Sequence, residues 1–320
     1  MAYTTIDKSS LHFNTKLWTG NSTNSTAITG VGFQPDMVWI KNRSTTDNHA
    51  IFDAIRGATY RIYPNATDAQ IQATNSLASF DSDGFTLNDG GDANGNGENI
   101  VGWNWKANGA GSANTDGSIN TTATSANTTS GFSMSTASMN ASGTWTIGHG
   151  LGVAPKVVLV KVTGATSDWW MWHESLGGGG KYIKLNINGS SGNDSTVWNN
   201  AVPTSSLFSM GSNTWSQNTT FIAYCFADVQ GFSKMGSYIG NGNADGAFVY
   251  TGFKPAWVLI KNTQANETWM LFDNKRLGYN VANSKLNPDE AAVEGSGTFL
   301  DLLSNGFKIR TSASTLNTNA

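Results

Sequence analysis

The 320 residues carry a formal net charge of -3, and only 13% of them are charged while 38% are hydrophobic and 11% aromatic, against a usual charged share of about 25%. No Lys/Arg cluster offers a face for nucleic-acid phosphates, and no apolar run approaches the roughly 20 residues of a membrane-spanning helix. A surface left to Asn, Ser, Thr and Gly, with no charged leader followed by an apolar core, fits a product made in a cell and released by lysis.

In chain order, residues 1–10 read as a polar arm, and residues 11–29 as strand, Asn/Ser/Thr turn and strand. Residues 30–42, GVGFQPDMVWIKN, then recur as GLGVAPKVVLVKV at 150–162 and YTGFKPAWVLIKN at 250–262. Pro35 and Lys41, Pro155 and Lys161, and Pro255 and Lys261 are each six residues apart. Alternation puts Met37, Trp39 and Lys41 on one side of a strand and Val38 and Ile40 on the other, so one side is expected in the core and the other partly exposed. The invariant lysines are expected to lie over an aromatic ring or to pair with a carboxylate. Beyond a polar turn come Ile51-Phe52-Asp53, Met171-Trp172-His173 and Leu271-Phe272-Asp273, in which Phe52, Trp172 and Phe272 read as core anchors on short strands. Residues 67–80 leave room for a helical turn or two.

Each copy continues into a turn and strand, FDSDGFTLN at 80–88, SLFSMGSN at 206–213 and LLSNGFKIRT at 302–311. Two copies end in an aromatic strand, NIVGWNWKA and FIAYCFA. Trp103 and Tyr224 stand 68 and 69 residues after their prolines. The same spacing puts the third such strand at about position 323. Its source is expected to be chain beyond residue 320, in preference to another subunit. Cys225, the single cysteine, reads as a small buried hydrophobe.

The expected fold is all-β: three tandem repeat units of about 100 residues, each a β-sandwich of jelly-roll or lectin-like type, the third lacking its last strand. The boundaries are an arm at 1–10, units at 11–107, 131–228 and 229–320, and a Gly/Ser/Thr/Asn linker at 108–130. Units two and three form a tandem body with unit one more loosely attached. Open sheet edges with few charges to guard them call for a homo-oligomer, a trimer being favoured.

The threefold GF-x-P and V-x-I-K pattern, the FDSDGFTLN turn and the run from 221 to 262, FIAYCFADVQGFSKMGSYIGNGNADGAFVYTGFKPAWVLIKN, together resemble a family of tailed-phage virion proteins, common in marine phages, labelled tail-fibre or structural proteins and described as lectin-like. The resemblance implies a virion component in the tail, in fibres or on the capsid surface. The expected partners are copies of itself and other virion proteins, with a host-surface glycan added under the carbohydrate-binding alternative. It supplies no catalytic residues.

Read for chemistry, Asp53, Asp81, Asp83, Glu174, Glu267, Asp273 and Glu294 form no compact pair of the kind glycan cleavage needs. His12, His49, His149 and His173 are too scattered for a zinc motif. These patterns favour a non-enzymatic structural protein over a glycan-degrading tailspike. No cofactor is expected, and calcium is the one alternative the sequence admits. Asp89, Asp92, Asn94, Asn96 and Glu98 sit in DGGDANGNGE, whose D-x-N-x-N-G opening is that of an EF-hand loop, although Asn/Gly-rich turns use the same residues. Carbohydrate binding is the alternative function, through Trp169, Trp170, Trp198 and Trp215, since exposed indoles stack on sugar faces. Strand alternation separates Trp169 from Trp170 and Trp172, which leaves only part of this cluster free of the core.

Overall fold

The computed structural model describes residues 4–140, 143–212, 215, 218–276, 280 and 282–319. Residues 1–3 of the expected arm lie outside this set; of the remainder, Ile6 is buried and residues 9–11 form a 3-10 turn.

The first segment of the chain contains β1 (Phe13–Thr19), β2 (Thr26–Thr29), β3 (Met37–Asn42), β4 (Ala50–Asp53), β5 (Tyr60–Arg61), β6 (Ile71–Gln72), β7 (Leu77–Asp81), β8 (Gly84–Leu87), α1 (Gly91–Asn94) and β9 (Asn99–Trp105). The middle segment contains β10 (Ala123–Asn127), β11 (Phe132–Met139), β12 (Trp145–Gly148), β13 (Val157–Val162), β14 (Trp169–His173), β15 (Lys181–Lys184), β16 (Gly192–Asn193), β17 (Leu207–Met210) and β18 (Thr219–Phe226). The third contains β19 (Phe248–Tyr250), β20 (Trp257–Ile260), β21 (Met270–Asp273), β22 (Ala282–Lys285), β23 (Gly295–Leu303), β24 (Gly306–Ile309) and α2 (Ser314–Asn317).

The fold is all-β, with antiparallel strand pairing throughout its sheets. In the first segment a sheet ordered β1-β9-β3-β4 faces a smaller one ordered β2-β8-β7. In the middle segment β10-β11-β18-β13-β14-β15-β16 faces β12-β17. The third segment has β19-β24-β23-β22 and the pair β20-β21. The residues between the facing sheets form a private core for each segment: Val38, Ile40 and Phe52 with Phe85 in the first, Val158, Val160 and Trp172 with Phe208 in the middle, and Val258, Ile260 and Phe272 with Phe307 in the third.

The opposite faces of the main sheets meet in one further core shared by all three segments. It brings together Trp39, Trp103 and Trp105 with Leu159, Trp169 and Tyr224, and with Trp269, Leu271 and Leu286. As a result every residue of β3 and of β13 is buried, where alternation had led to one partly exposed side. A strand covered on both faces reads as a near-continuous apolar run, which is what MVWIK and VVLVK are.

Backbone hydrogen bonds close the three segments into a cycle. The Gln70 amide donates to the Thr163 carbonyl at 2.8 Å, the Ser191 amide to Thr263 at 2.9 Å, and the Glu294 amide to Arg43 at 3.0 Å. The first segment is therefore gripped from two sides, contrary to its expected loose attachment. The stretch at 108–130 is no free linker either: β10 pairs with β11 at the edge of the middle sheet, and Thr121, Ser125 and Ser130 are buried there. Its Ser/Thr hydroxyls hydrogen-bond one another (Thr121 to Thr124, Thr124 to Ser135), so a composition that suits a linker here satisfies a buried ladder.

Residues 67–80 hold β6 and the start of β7, not a helical turn. The Asp-Gly turn falls where the sequence put it. Gly84 has φ +142, and a Cβ there would meet the Ile28 carbonyl oxygen at 1.9 Å, so only glycine fits. Asp83 beside it accepts from the Gly30 and Gly32 amides at 3.0 and 2.6 Å, which ties the turn to the start of the repeated motif.

Candidate functional site

The densest constellation of polar chemistry lies where segments meet. At the end of β4, the fully buried Asp53 accepts from the backbone amide and Nε of Arg56 at 2.9 and 2.6 Å and from the Tyr224 hydroxyl of the middle segment at 2.7 Å. At the end of β21, Asp273 accepts from the Arg276 amide and Nε at 3.0 and 2.6 Å and from Trp103 Nε1 of the first segment at 3.0 Å. The Arg276 guanidinium also lies 5.7 Å from the Trp103 ring centroid, within cation-π range. Burial alone would lower the pKa of Arg56, but the neighbouring Asp53 carboxylate raises it. Burial and the Asp53 charge push the Tyr224 phenol well above its ordinary value. An arginine fixed in its charged form and a phenol fixed in its neutral form make a buried clamp.

At the corresponding place on β14 stand His173 and Leu176. The His173 ring accepts the Ser175 amide on Nδ1 at 3.1 Å, much as Asp53 and Asp273 accept the amides that follow them. Burial lowers its pKa.

Among the described residues the three motif lysines neither stack on rings nor pair with carboxylates. Their ammonium groups donate to backbone carbonyls: Lys41 to Asn42 and Thr45 at 2.6 and 3.0 Å, Lys161 to Ser167 and, across the seam, to Thr67 at 2.8 Å, and Lys261 to Asn262 at 2.6 Å and, across the next seam, to Asn188 at 3.2 Å. Burial depresses each to about 8. The prolines that precede them, Pro35, Pro155 and Pro255, are buried at the strand entries.

Indole nitrogens repeat the pattern of reaching into the next segment, Trp169 Nε1 to the Tyr63 carbonyl at 2.8 Å and Trp269 Nε1 to Lys184 at 3.0 Å. His49 occupies the equivalent place in the first segment, and it is completely buried. Burial, then the charge of Lys41, pushes its pKa far down, and the Asn287 backbone opposes them. Trp39 Nε1 donates to its Nδ1 at 3.0 Å.

Of the four tryptophans expected at a sugar site, Trp169, Trp198 and Trp215 are 0%, 2% and 3% exposed and offer no face to a ligand. Trp198 and Trp215 pack on each other 5.5 Å apart in the middle core. Trp170 is half-buried, with the Lys184 ammonium 4.4 Å above its ring and Tyr182 and Trp215 against it. β14 is a central strand packed on both faces, so alternation sends its indoles into two cores, and Trp198 and Trp215 fill the middle core from outside that strand.

The calcium ligands are dispersed too. Asp92 is held by Arg61 and Ser76, Glu98 accepts from Asn42, and Asp89 and Asn96 are exposed. Asn94 is buried, its side chain bonding Asn21, Thr23 and Asn88. Among the described residues no group of three or more His, Cys, Asp or Glu converges as a metal site. Loop 89–98 instead folds as α1 and a turn, with Asn94 as its internal peg.

One cavity of about 780 Å³ opens between residues 231–240 and β20, with Leu159, Met171 and His173 of the middle segment on its far side. No sequence motif points to it directly; it lies beside β20, where the repeat spacing calls for an aromatic strand. A family model for a domain of unknown function, DUF7483, matches residues 8–320, and so spans all three segments. The chain belongs to the DUF7483 family. No curated protein and no solved structure matches it.

Proposed function

We propose that this DUF7483 chain is a non-enzymatic structural component of a phage particle, a tail fibre or other surface-projecting part, made of three copies of one sandwich-like unit. The observation that carries the reading is where the recurrent residues go. Lys161, Lys261, Asp53 and Asp273 all accept or donate hydrogen bonds across segment boundaries, so these polar groups are spent on holding the body together and are not left open to a substrate. The weakly charged, Asn/Ser/Thr-rich composition and the resemblance of the motif pattern to virion proteins point the same way. Copies of the chain and other particle proteins are its partners in this reading.

The test is fractionation of particles released by lysis of the producing cells, with mass spectrometry of the particle band and immunogold labelling. The chain should sediment with the particles at a fixed ratio to their other proteins, and gold should decorate the tail or surface. Recovery of the chain only from the soluble fraction overturns the reading.

A further inference from the structure

The main sheets of the first and middle segments are each completed by a last aromatic strand. β9 lies between β1 and β3, and β18 between β11 and β13. In the third segment β20 pairs with β21 alone among the described residues. Residues 234–239, which follow the Gly-Phe-Ser sequence shared with the start of β11, form no strand opposite it. The backbone tells the same story. The Asp36 amide bonds the Trp105 carbonyl at 2.9 Å and the Lys156 amide bonds Phe226 at 2.7 Å, and nothing described takes that place for Ala256. On the side facing the shared core, Trp257 and Leu259 are only half-buried, whereas their counterparts Met37, Trp39, Val157 and Leu159 are buried. Trp257 Nε1 is buried without a hydrogen-bond partner. The cavity of about 780 Å³ fills this gap, and Ile239 and Tyr250 at its border are 75% and 64% exposed.

We propose that this slot is a receptor for one β-strand, antiparallel to β20 and of the β9/β18 type, carried by polypeptide that runs on from residue 320. The route in is laid out by α2. Asn317 takes the Asn241 amide on its side-chain oxygen and donates to Asn241, Asn243 and Thr311, repeating the bonds of Asn94 below α1. β9 starts five residues after Asn94; the same spacing from Asn317 starts a strand at about position 322, next to the bridge between Gly240 and Asn319. A second copy of the chain is the poorer donor, because its strands of this type, β9 and β18, are locked at the centres of their own sheets.

Register fixes the chemistry of the incoming strand. Trp103 sits opposite Trp39 and Tyr224 opposite Leu159, and each reaches the Asp of a neighbouring segment. The residue opposite Leu259 therefore approaches His173. With Nδ1 accepting from Ser175, the neutral ring carries its proton on Nε2 and is a donor there. An aromatic residue with an acceptor tip, tyrosine, suits this position, and tryptophan, a donor only, does not. Such strand addition combines main-chain hydrogen bonds with side-chain pockets.

The test offers the 320-residue chain a nine-residue peptide copying residues 219–227, with Cys225→Ser to block oxidation, and follows amide exchange by mass spectrometry. Binding should saturate and should slow exchange at 257–261 by at least about tenfold, leaving β3 and β13 unchanged. The peptide with Tyr224→Phe should bind roughly two- to tenfold more weakly, as for one lost hydrogen bond. The same nine residues joined after residue 320 through a short spacer should give that protection at any protein concentration. Unchanged exchange at 257–261 with peptide at about 1 mM overturns the receptor. Protection that appears without peptide as protein concentration rises assigns the slot to a second copy, and binding of the free but not the joined strand assigns it to another polypeptide; either overturns the source proposed.

Discussion

The Tyr224 hydroxyl donates to the Asp53 carboxylate at 2.7 Å across the boundary between the middle and first segments. Asp53 also neutralises Arg56, with side chains 0% and 4% exposed, so one carboxylate fixes both a buried cation and a neighbouring sheet. Asp53→Ala leaves that guanidinium buried without its partner and should cost about 3–5 kcal/mol. Tyr224→Phe removes one hydrogen bond, leaves the ion pair, and should cost about 1–2 kcal/mol. Urea unfolding of both variants and of the double variant checks this: the double should fall well short of the sum, since the two residues share one network.

Asp289 accepts the Trp269 amide at 3.0 Å, the place that Asn186 fills for Trp169 at 2.8 Å. Burial raises the Asp289 carboxyl to about 6. The folded state thus binds this proton more tightly than the unfolded chain, and the contribution of Asp289 is fully present below its unfolded value near 3.8 and is lost as pH rises through about 6. Asp289→Asn should keep the acceptor, flatten the stability profile between pH 4 and 6 relative to the parent, and raise stability at pH 7. Thermal melts of the two proteins over this range provide the comparison.

The lysines titrate in the opposite sense to a cation with a partner. Lys41 falls to about 8 from 10.5 because of burial, against the pull of Asp47. Between these values the unfolded chain holds the proton and the folded one does not, so stability from this residue rises with pH from about 8 to 10.5. Lys41→Met should remove that rise, seen as a shallower slope in denaturation midpoints across the same interval.

Cys225 is 1% exposed and burial pushes its thiol pKa up, so the reactive thiolate is suppressed in the folded chain. Alkylation by iodoacetamide should proceed only at the rate of unfolding, and should accelerate in Asp53→Ala by the factor its unfolding rate gains. Rapid labelling of the parent protein under native conditions would contradict the packing of β18.

Much of this fold is written in local pattern. The Asp83-Gly84 turn, the aromatic strands ending at Trp105 and Phe226, and the anchoring of Phe52, Trp172 and Phe272 all follow from spacing, because each depends on residues near in the sequence. What the pattern hides is the second burial of the main sheets. Lys161 and Lys261 meet carbonyls of a neighbouring segment, Thr67 and Asn188, and those partners have no sequence signature. Trp169 looks free for a ligand for the same reason: its partner, the Tyr63 carbonyl, lies 106 residues earlier in the chain. The Asn/Gly loop at 89–98 resembles a calcium loop because peg and ligand use the same residue type, and only the tertiary partners of Asn94, most of them met by its side-chain NH2, tell them apart.

The closure of the cycle rests on Glu294. Burial would raise its pKa, but hydrogen bonds and charge from Arg43 and Arg276 hold it below the ordinary value; Arg43 Nη2 reaches it at 2.7 Å from the first segment. If the three segments form one closed body, scanning calorimetry should show a single transition whose calorimetric and van't Hoff enthalpies agree. Glu294→Ala should lower its midpoint and keep it single or split off one shoulder. Three separable transitions in the parent protein, or a van't Hoff enthalpy near about one third of the calorimetric value, would contradict the closed body and return the chain to independent sandwiches on a string.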